Sequence, residues 1–415
     1  MAAARYCALS GAVVSVTDLA DEQALAESLA ELRDVPIARL TLGHHDAAEF
    51  CAAEIIVVNP AVRPGNAFLE IARGTGASIT SEIELFLHAC PAHVVGVTGT
   101  VGKSTTAAML AAILQAAGRR VWLGGNIGNS LLADVSRMQS GDVAVLELSS
   151  FQLCWLSEQA RWPSAAIVTN CSANHLDWHG TWDHYAASKQ RLVTHLPAEG
   201  TGVLNTDDRE VGRWRDLCRC PSSGPWRWED IPALRVPGEH NRRNAACAAA
   251  MASALAIDVQ VINGALADFR GLPHRLALIA KIGGRRFYND SKSTTPRATI
   301  SALSAVERPI WLLLGGAMRP IDLAALVEQA IYKAKGVALF GEAAPALAAA
   351  FRRADTSFPC CWPSSLDGAL KWCFGSARPG DAILFSPGFP STDQFRDFAE
   401  RGGDFERMVR KLSQS

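Results

Sequence analysis

The sequence lacks a surplus of charge of either sign: 40 Lys and Arg stand against 41 Asp and Glu in 415 residues, a formal net charge of −1. Such a chain has no overall field to recruit nucleic acid or an anionic membrane, although a local phosphate site is still allowed. It also lacks an apolar run of the ~18 residues that span a bilayer. The nearest stretch, Ala245 to Ile257, is short, follows Arg242 and Arg243, and reads as a buried helix. The opening MAAARYCALSGAVVSV has no charged region ahead of a long apolar core, so no signal peptide is expected. The 11 cysteines, an odd number, show neither CxxC nor Cys/His metal spacing. That argues against a disulfide scaffold and for a reducing cytoplasm. Adjacent Cys360 and Cys361 read as packing residues. Repeats and low-complexity segments are missing too, alanine richness aside.

What is present is an ordinary globular composition, 49% hydrophobic and 20% charged, long enough for two to four domains at roughly 100–200 residues each. Apolar β-branched runs alternate with Ala/Leu-rich stretches from end to end. VVSVTD (13–18), EIIVVN (54–59), HVVGVTG (93–99), DVAVLELS (142–149), AAIVTN (165–170), IWLLLGG (310–316), GVALFG (336–341) and AILFSP (382–387) read as buried parallel strands. Residues 105–117, 243–256, 323–334 and 343–353 have helical composition. This rhythm predicts an α/β fold with parallel sheets, whose ligands bind beyond the carboxyl ends of the strands. Residues 219–239 break the rhythm as an irregular connector, and GLPHR (271–275) fits a domain boundary ahead of a fresh strand, KIGGRRFYND.

The sharpest local signal is VVGVTGTVGKSTTAAML (94–110). An apolar strand runs into a tight turn, Gly99-Thr100-Val101-Gly102, and Lys103-Ser104-Thr105 opens a helix. Glycines let backbone N–H groups turn toward an anion, and a helix N-terminus adds its positive dipole end. Lys103 would lie against the β/γ-phosphates and the Ser104 hydroxyl would reach Mg²⁺. Val97 stands where the usual spacing has its first glycine, so the motif is a shortened variant; a plain strand-to-helix turn is the competing reading. Glu147 ends another apolar strand, where a carboxylate is costly unless paired or bound to metal. His175 follows AAIVTN in SANHLDWHG, at a strand end that parallel topology places beside the phosphate loop. Glu147 and His175 are therefore candidate ligands for divalent cations bridging phosphates. His179 and His184 read as surface or packing residues. By residue type alone Lys189 reads as solvated. Asn241 and Asn244, spaced i, i+3 near a helix start, suit a nucleotide and suit capping equally.

GTVGKST, GGNIGNS, LELSSFQL, NHLDWHGTWDHYAASK, GEHNRRNA, GLPHR, NDSKST, LLLGG and SPGFPSTDQFRDFAERGGDF occur in the order found in the Mur ligases, which the chain resembles over about residues 10–412. LELSSFQL, NDSK and the C-terminal motif are most similar to the D-glutamate-adding members. The resemblance implies three α/β domains: a Rossmann-like UDP-sugar-binding domain (1–92), a P-loop-type parallel-sheet ATPase core (93–270) and a Rossmann-like amino-acid-binding domain (271–415). It implies a cytoplasmic, monomeric, ATP-dependent ligase of peptidoglycan precursor synthesis, without nucleic-acid partners or membrane insertion. Its substrates would be UDP-MurNAc-L-Ala and D-glutamate, joined through an acyl phosphate, with two Mg²⁺ ions offsetting the crowded negative charge.

Carried over by position, Lys103, His175 and Lys189 would be catalytic. Gly99, Thr100, Val101, Gly102, Lys103, Ser104, Thr105, Asn241, Asn244, Arg275 and Asp290 would hold ATP. Ser104, Glu147, His175 and Lys189 would hold metal, Lys189 as a carbamate. Asp18, Asn126, Ser149, Ser150, Lys292, Thr294, Arg319, Ser391 and Phe398 would meet substrate, the last through its backbone amide.

The chain departs from that pattern at several points. Val101 replaces an asparagine of the phosphate turn, and Asn174 an aspartate before the metal histidine. Arg319 stands where a lysine is usual, and Phe389 and Pro390 adjoin Ser391; either change would bear on which amino acid is accepted. VVSVTD reads as the first strand, with Asp18 at the uracil–ribose position but no glycine turn before it. Two other readings follow: a paralogue using another amino acid such as L-glutamate, and a non-catalytic nucleotide-binding relative.

Overall fold

The computed structural model describes residues 1–127, 130–306, 309–319, 321–363 and 365–412, so Gly128 and Asn129 of the GGNIGNS motif lie outside the described residues. Two compact units make up the chain, Met1–Ile231 with Arg243–Leu266, and Pro232–Arg242 with Ala267–Ser415.

In the first unit, β1 (Val14–Asp18) pairs in parallel with β2 (Ile37–Leu42), and β3 (Ile55–Val58) with β4 (Ser78–Ser81). Three helices here start at side-chain caps: Asp46 accepts from the Ala48 amide, Asn66 from Phe68 and Ser81 from Glu84. A six-stranded sheet follows, built from β5 (His93–Thr98), β6 (Val121–Gly125), β7 (Val143–Glu147), β8 (Ala165–Val168), β9 (Thr201–Leu204) and β10 (Ser222–Ser223). Its order is β10-β9-β8-β5-β7-β6, and every pairing is parallel. Both faces of β7 and β8 are buried, which is why they read as unbroken apolar runs. Strand β5 lies between β7 and β8, so the chain reverses its winding at β5, where α/β sheets open a crevice for ligands.

The second unit carries β11 (Ala277–Ile282), β12 (Arg285–Asn289), β13 (Ile310–Gly315), β14 (Ala334–Phe340), β15 (Cys360–Cys361) and β16 (Ala382–Gly388), ordered β11-β12-β16-β13-β14-β15. Only β11 and β12 are antiparallel; Gly283 and Gly284, at φ +53° and +74°, supply the positive backbone angles of their tight hairpin turn. Side chains alternate between two cores: Leu312, Leu314, Leu339 and Leu384 face one layer, Leu313, Phe340, Ile383 and Phe385 the other.

All eight expected strands are present, as are the four helical stretches, now Lys103–Ala116, Glu239–Ala254, Ala324–Lys333 and Ala344–Ala354. Residues 245–252 are buried as expected of that small-residue run. The periodicity overlooked β2, β4, β6 and β9. Three of these, β2, β4 and β6, are sheet edges, and exposed edge residues such as Leu40 carry no continuous apolar signal. The connector 219–239 is irregular except for β10, a short 3-10 turn at Trp228–Asp230 and its last residue, which opens the helix Glu239–Ala254. Cys361 packs against the second core layer, whereas Cys360 is exposed.

Candidate active site

Strand register assembles the centre of the first unit. Glu147 is paired with Val97 on one side and Gly125 on the other, so the last residue of β7 lies beside the exits of β5 and β6. Gly99 and Gly102 then turn the chain at φ +149° and +85°, and Gly102 is the left-handed N-cap of the 14-residue helix Lys103–Ala116. A side chain at Gly99 would strike the Thr169 hydroxyl, and one at Gly102 the Asn244 amide. Glycine is required at both positions by angle and by space.

The loop is stapled from several elements. Thr100 Oγ1 shares a 2.8 Å hydrogen bond with Tyr185 and donates to the Ser172 carbonyl at 3.0 Å. Asn170 holds Val101 from both sides: Oδ1 accepts from its amide and Nδ2 donates to its carbonyl, each at 2.9 Å. The Val101 side chain itself is exposed, so replacing the usual asparagine leaves this backbone turn in place. Lys103 Nζ donates to the Thr100 carbonyl at 3.0 Å.

Charged groups converge on this loop. The carboxylate of Glu147 is buried; Oε2 accepts from the Ser104 hydroxyl and Oε1 from Asn126 Nδ2 at 3.0 Å. Lys189 is not solvated. It is 1% exposed, with Nζ donating to the Gly99 carbonyl at 2.8 Å and lying over the Tyr185 ring. Burial, then the Lys103 charge, pulls its pKa down to about 7, against the opposing pull of Cys171 and Glu147. His175 occupies a left-handed position, φ 52°, its ring 4.9 Å from Phe151. Desolvation lowers its pKa; Asp177 opposes that, and the charges of Lys103 and Lys189 add to it.

This set fits Mg²⁺. Among the described residues no three His, Cys, Asp or Glu side chains gather closely enough to hold a metal by themselves. Mg²⁺ commonly takes one or two carboxylates and completes its shell with substrate phosphates and water, which suits a hydroxyl and carboxylate beside a glycine loop. A neutral imidazole at His175 is a competent further donor.

The remaining positions of this unit fall into place variously. Ser149 caps the helix Ser150–Trp155 in a reciprocal box with Gln152. Ser150 is buried, bonded at 2.9 Å to His179 Nε2. Of the two alternatives for His179, surface or packing, burial in the site region settles on packing. Burial first, then the neighbouring His184, takes its pKa down to about 4. Thr105 follows Ser104 in the first helical turn, and exposed Asp18 accepts from the Ala20 amide, 2.8 Å away, at the end of β1. Sequence reasoning missed Asn170, Tyr185 and His179; the i, i+4 spacing of Tyr185 and Lys189 was the available signal.

In the second unit, Asn241 Nδ2 donates to the Pro237 carbonyl at 2.6 Å, a cap-like bond one turn back. Asp290 is buried, accepting from Ser293 and Ser386 hydroxyls (2.5 and 2.7 Å) and the Leu276 amide (2.9 Å). Burial lifts its pKa to about 6 despite those bonds and the Arg275 charge. Arg275 lies between His274 and Leu276, both at positive φ, 60° and 46°. Lys292 Nζ lies 5.0 Å over the Phe398 ring, and the Thr294 amide donates to the Lys292 carbonyl. Ser391 is buried, Phe398 opens the C-terminal helix, and Arg319 is exposed after β13. Phe389 is 0% exposed inside the first core layer, so it fills the core and does not line a pocket. Fully buried Arg401 had no sequence signal beyond its motif.

Two family models match the chain, the Mur ligase middle domain over residues 97–224 and the Mur ligase glutamate ligase domain over 274–389. A curated relative from Roseiflexus sp. (strain RS-1), named UDP-N-acetylmuramoylalanine–D-glutamate ligase, is 34% identical over 99% of this chain and 95% of its own. One of the same name from Solibacter usitatus is 35% identical, again over 99% and 95%. Among solved structures, UDP-N-acetylmuramate-alanine ligase from Thermotoga maritima superposes with a TM-score of 0.62 at 18% identity, covering 99% of this chain and 96% of the other. The MurF ligase of that organism, in complex with ADP, gives 0.59 at 17% identity, covering 88% and 99%.

Proposed function

The chain belongs to the Mur ligase family, and we propose that it adds D-glutamate to UDP-N-acetylmuramoyl-L-alanine in peptidoglycan precursor synthesis, at the expense of ATP. The observation that carries this reading is the convergence of Lys103, the Ser104–Glu147 pair, His175 and buried Lys189 on one glycine turn. A mere nucleotide-binding relative needs the loop but not an acid, an imidazole and a second buried lysine around it. Relatives named for this reaction match nearly the whole chain.

In this reading residues 1–92 take the UDP-sugar, 93–270 bind ATP, and 271–415 take the amino acid. Asp18 meets the uracil ribose, and Asn126, Ser149 and Ser150 the acyl-bearing end of the acceptor. Backbone amides from Gly99 to Thr105 and the Lys103 ammonium cradle the phosphates, with Asn241, Asn244, Arg275 and Asp290 on the nucleoside. Ser104, Glu147, His175 and Lys189 hold Mg²⁺, which when bound offsets negative charge on the transferring phosphoryl group. Lys189 contributes as a carbamate. Only a neutral amine attacks CO₂, and a pKa near 7 leaves a large fraction of Lys189 neutral.

The terminal carboxylate of the acceptor attacks the γ-phosphorus and ADP leaves. The amine of D-glutamate then adds to the acyl phosphate, and phosphate departs from the tetrahedral intermediate. Lys103 stabilises charge on the phosphoryl oxygens, while Lys292, Thr294, Arg319, Ser391 and the Phe398 amide orient the amino acid.

The test is mass spectrometry of products, with phosphate release, after incubation with ATP, Mg²⁺, UDP-MurNAc-L-Ala and a panel of amino acids. D-Glutamate should give a product heavier by one glutamyl residue. Phosphate release with L-glutamate or another amino acid and none with D-glutamate sinks the assignment, and no turnover with any favours the non-catalytic relative.

A further inference from the structure

Arg401, in the first turns of the C-terminal helix Phe398–Leu412, is 0% exposed. Its guanidinium makes four hydrogen bonds: Nε to Ser291 Oγ (3.1 Å), Nη2 to the Ser291 carbonyl (2.8 Å), and Nη1 to the carbonyls of Phe389 (3.0 Å) and Pro390 (3.1 Å). Ser291 Oγ in turn donates to the Phe398 carbonyl at 2.8 Å. All the acceptors are carbonyls or a hydroxyl, none charged. Asp393 favours the charged form from farther off, yet burial takes the pKa of Arg401 down to about 10.

Burying a cation without a carboxylate on its donors is expensive, and a well-packed neutral side chain would ordinarily serve stability better. The segments it ties together are informative. Ser291 precedes Lys292, Pro390 precedes Ser391, and Phe398 begins the helix that holds Arg401. A side chain at Gly316, on the loop leading to Arg319, would lie 2.9 Å from Nη1.

We propose that Arg401 is the positioning residue of the amino-acid pocket: its planar fork fixes Lys292, Ser391 and the Phe398 amide relative to one another, and its buried charge favours an acidic amino acid there. This rests on the assignment of the second unit to amino-acid binding. Lysine retains the charge but cannot reproduce the fork, and glutamine retains neither.

Steady-state kinetics of Arg401→Gln, Arg401→Lys and Ser291→Ala test it, using whichever amino acid the wild type accepts. The glutamine variant should raise the KM for the amino acid about tenfold or more, with the KM for ATP and for the UDP-linked acceptor changed less than about twofold. The lysine variant should recover part of the loss, and Ser291→Ala should raise the same KM about threefold. Should Arg401→Gln fail to fold, Ser291→Ala decides alone. Equal changes in all three KM values, or none, in folded variants overturn the role of Arg401 and leave the ligase assignment standing. A wild type that turns over no amino acid overturns both.

Discussion

The Ser104 hydroxyl donates a hydrogen bond to the carboxylate of Glu147 across 43 positions of sequence, joining the first turn of the phosphate-loop helix to the last residue of a neighbouring strand. Because Glu147 is 2% exposed, its charge needs partners, and Asn126 supplies a second. A cation bound here would draw on the same carboxylate and hydroxyl. Its binding would thereby be coupled to the geometry of the loop.

Replacing Lys189 with Ala should abolish turnover, with partial rescue by formate or acetate standing in for the carbamate. The pH dependence has a definite sign. With the pKa lowered to about 7, the amine is mostly protonated at pH 6 and mostly neutral at pH 8, so carbamate and activity should both rise over that range. A ¹³C carbamate signal after exposure to labelled CO₂ checks the first, and a Lys189→Ala enzyme as fast as wild type refutes the role.

Gly102→Ala forces a side chain onto Asn244 at φ +85°. The KM for ATP should rise by about tenfold or more, with far-UV circular dichroism unchanged. A variant with wild-type nucleotide affinity would mean that this loop does not bind phosphate.

Asp290→Asn probes a buried acid whose pKa is raised from 3.8 to about 6. Between those values the native state binds more protons than the unfolded chain. Asp290 therefore costs stability as pH rises, fully so above pH 6. The Tm of the asparagine variant relative to wild type should increase from pH 4 to pH 7, by the equivalent of roughly 2–3 kcal/mol at most. A difference independent of pH contradicts the burial account.

Phe389→Leu removes volume from a filled core. It should cost about 1–2 kcal/mol in denaturant unfolding and leave the ranking of amino acids unchanged. A switched amino-acid preference would place Phe389 in the pocket after all.

Local pattern was enough for much of this protein. Strand and helix runs, the glycine turn before Lys103 and the improbable carboxylate of Glu147 are properties of neighbouring residues, and short-range sterics and burial write them directly into sequence. Other features depend on residues far apart in the chain. Lys189 resembles any surface lysine until packing seals it under the Gly99 carbonyl and drops its pKa, and Phe389 resembles a pocket residue until its core closes around it. His179 gains its meaning from Ser150, 29 positions distant, and Arg401 from partners 11 to 110 positions distant. Burial and hydrogen-bond partnership are collective results of folding, so only the tertiary structure decides them.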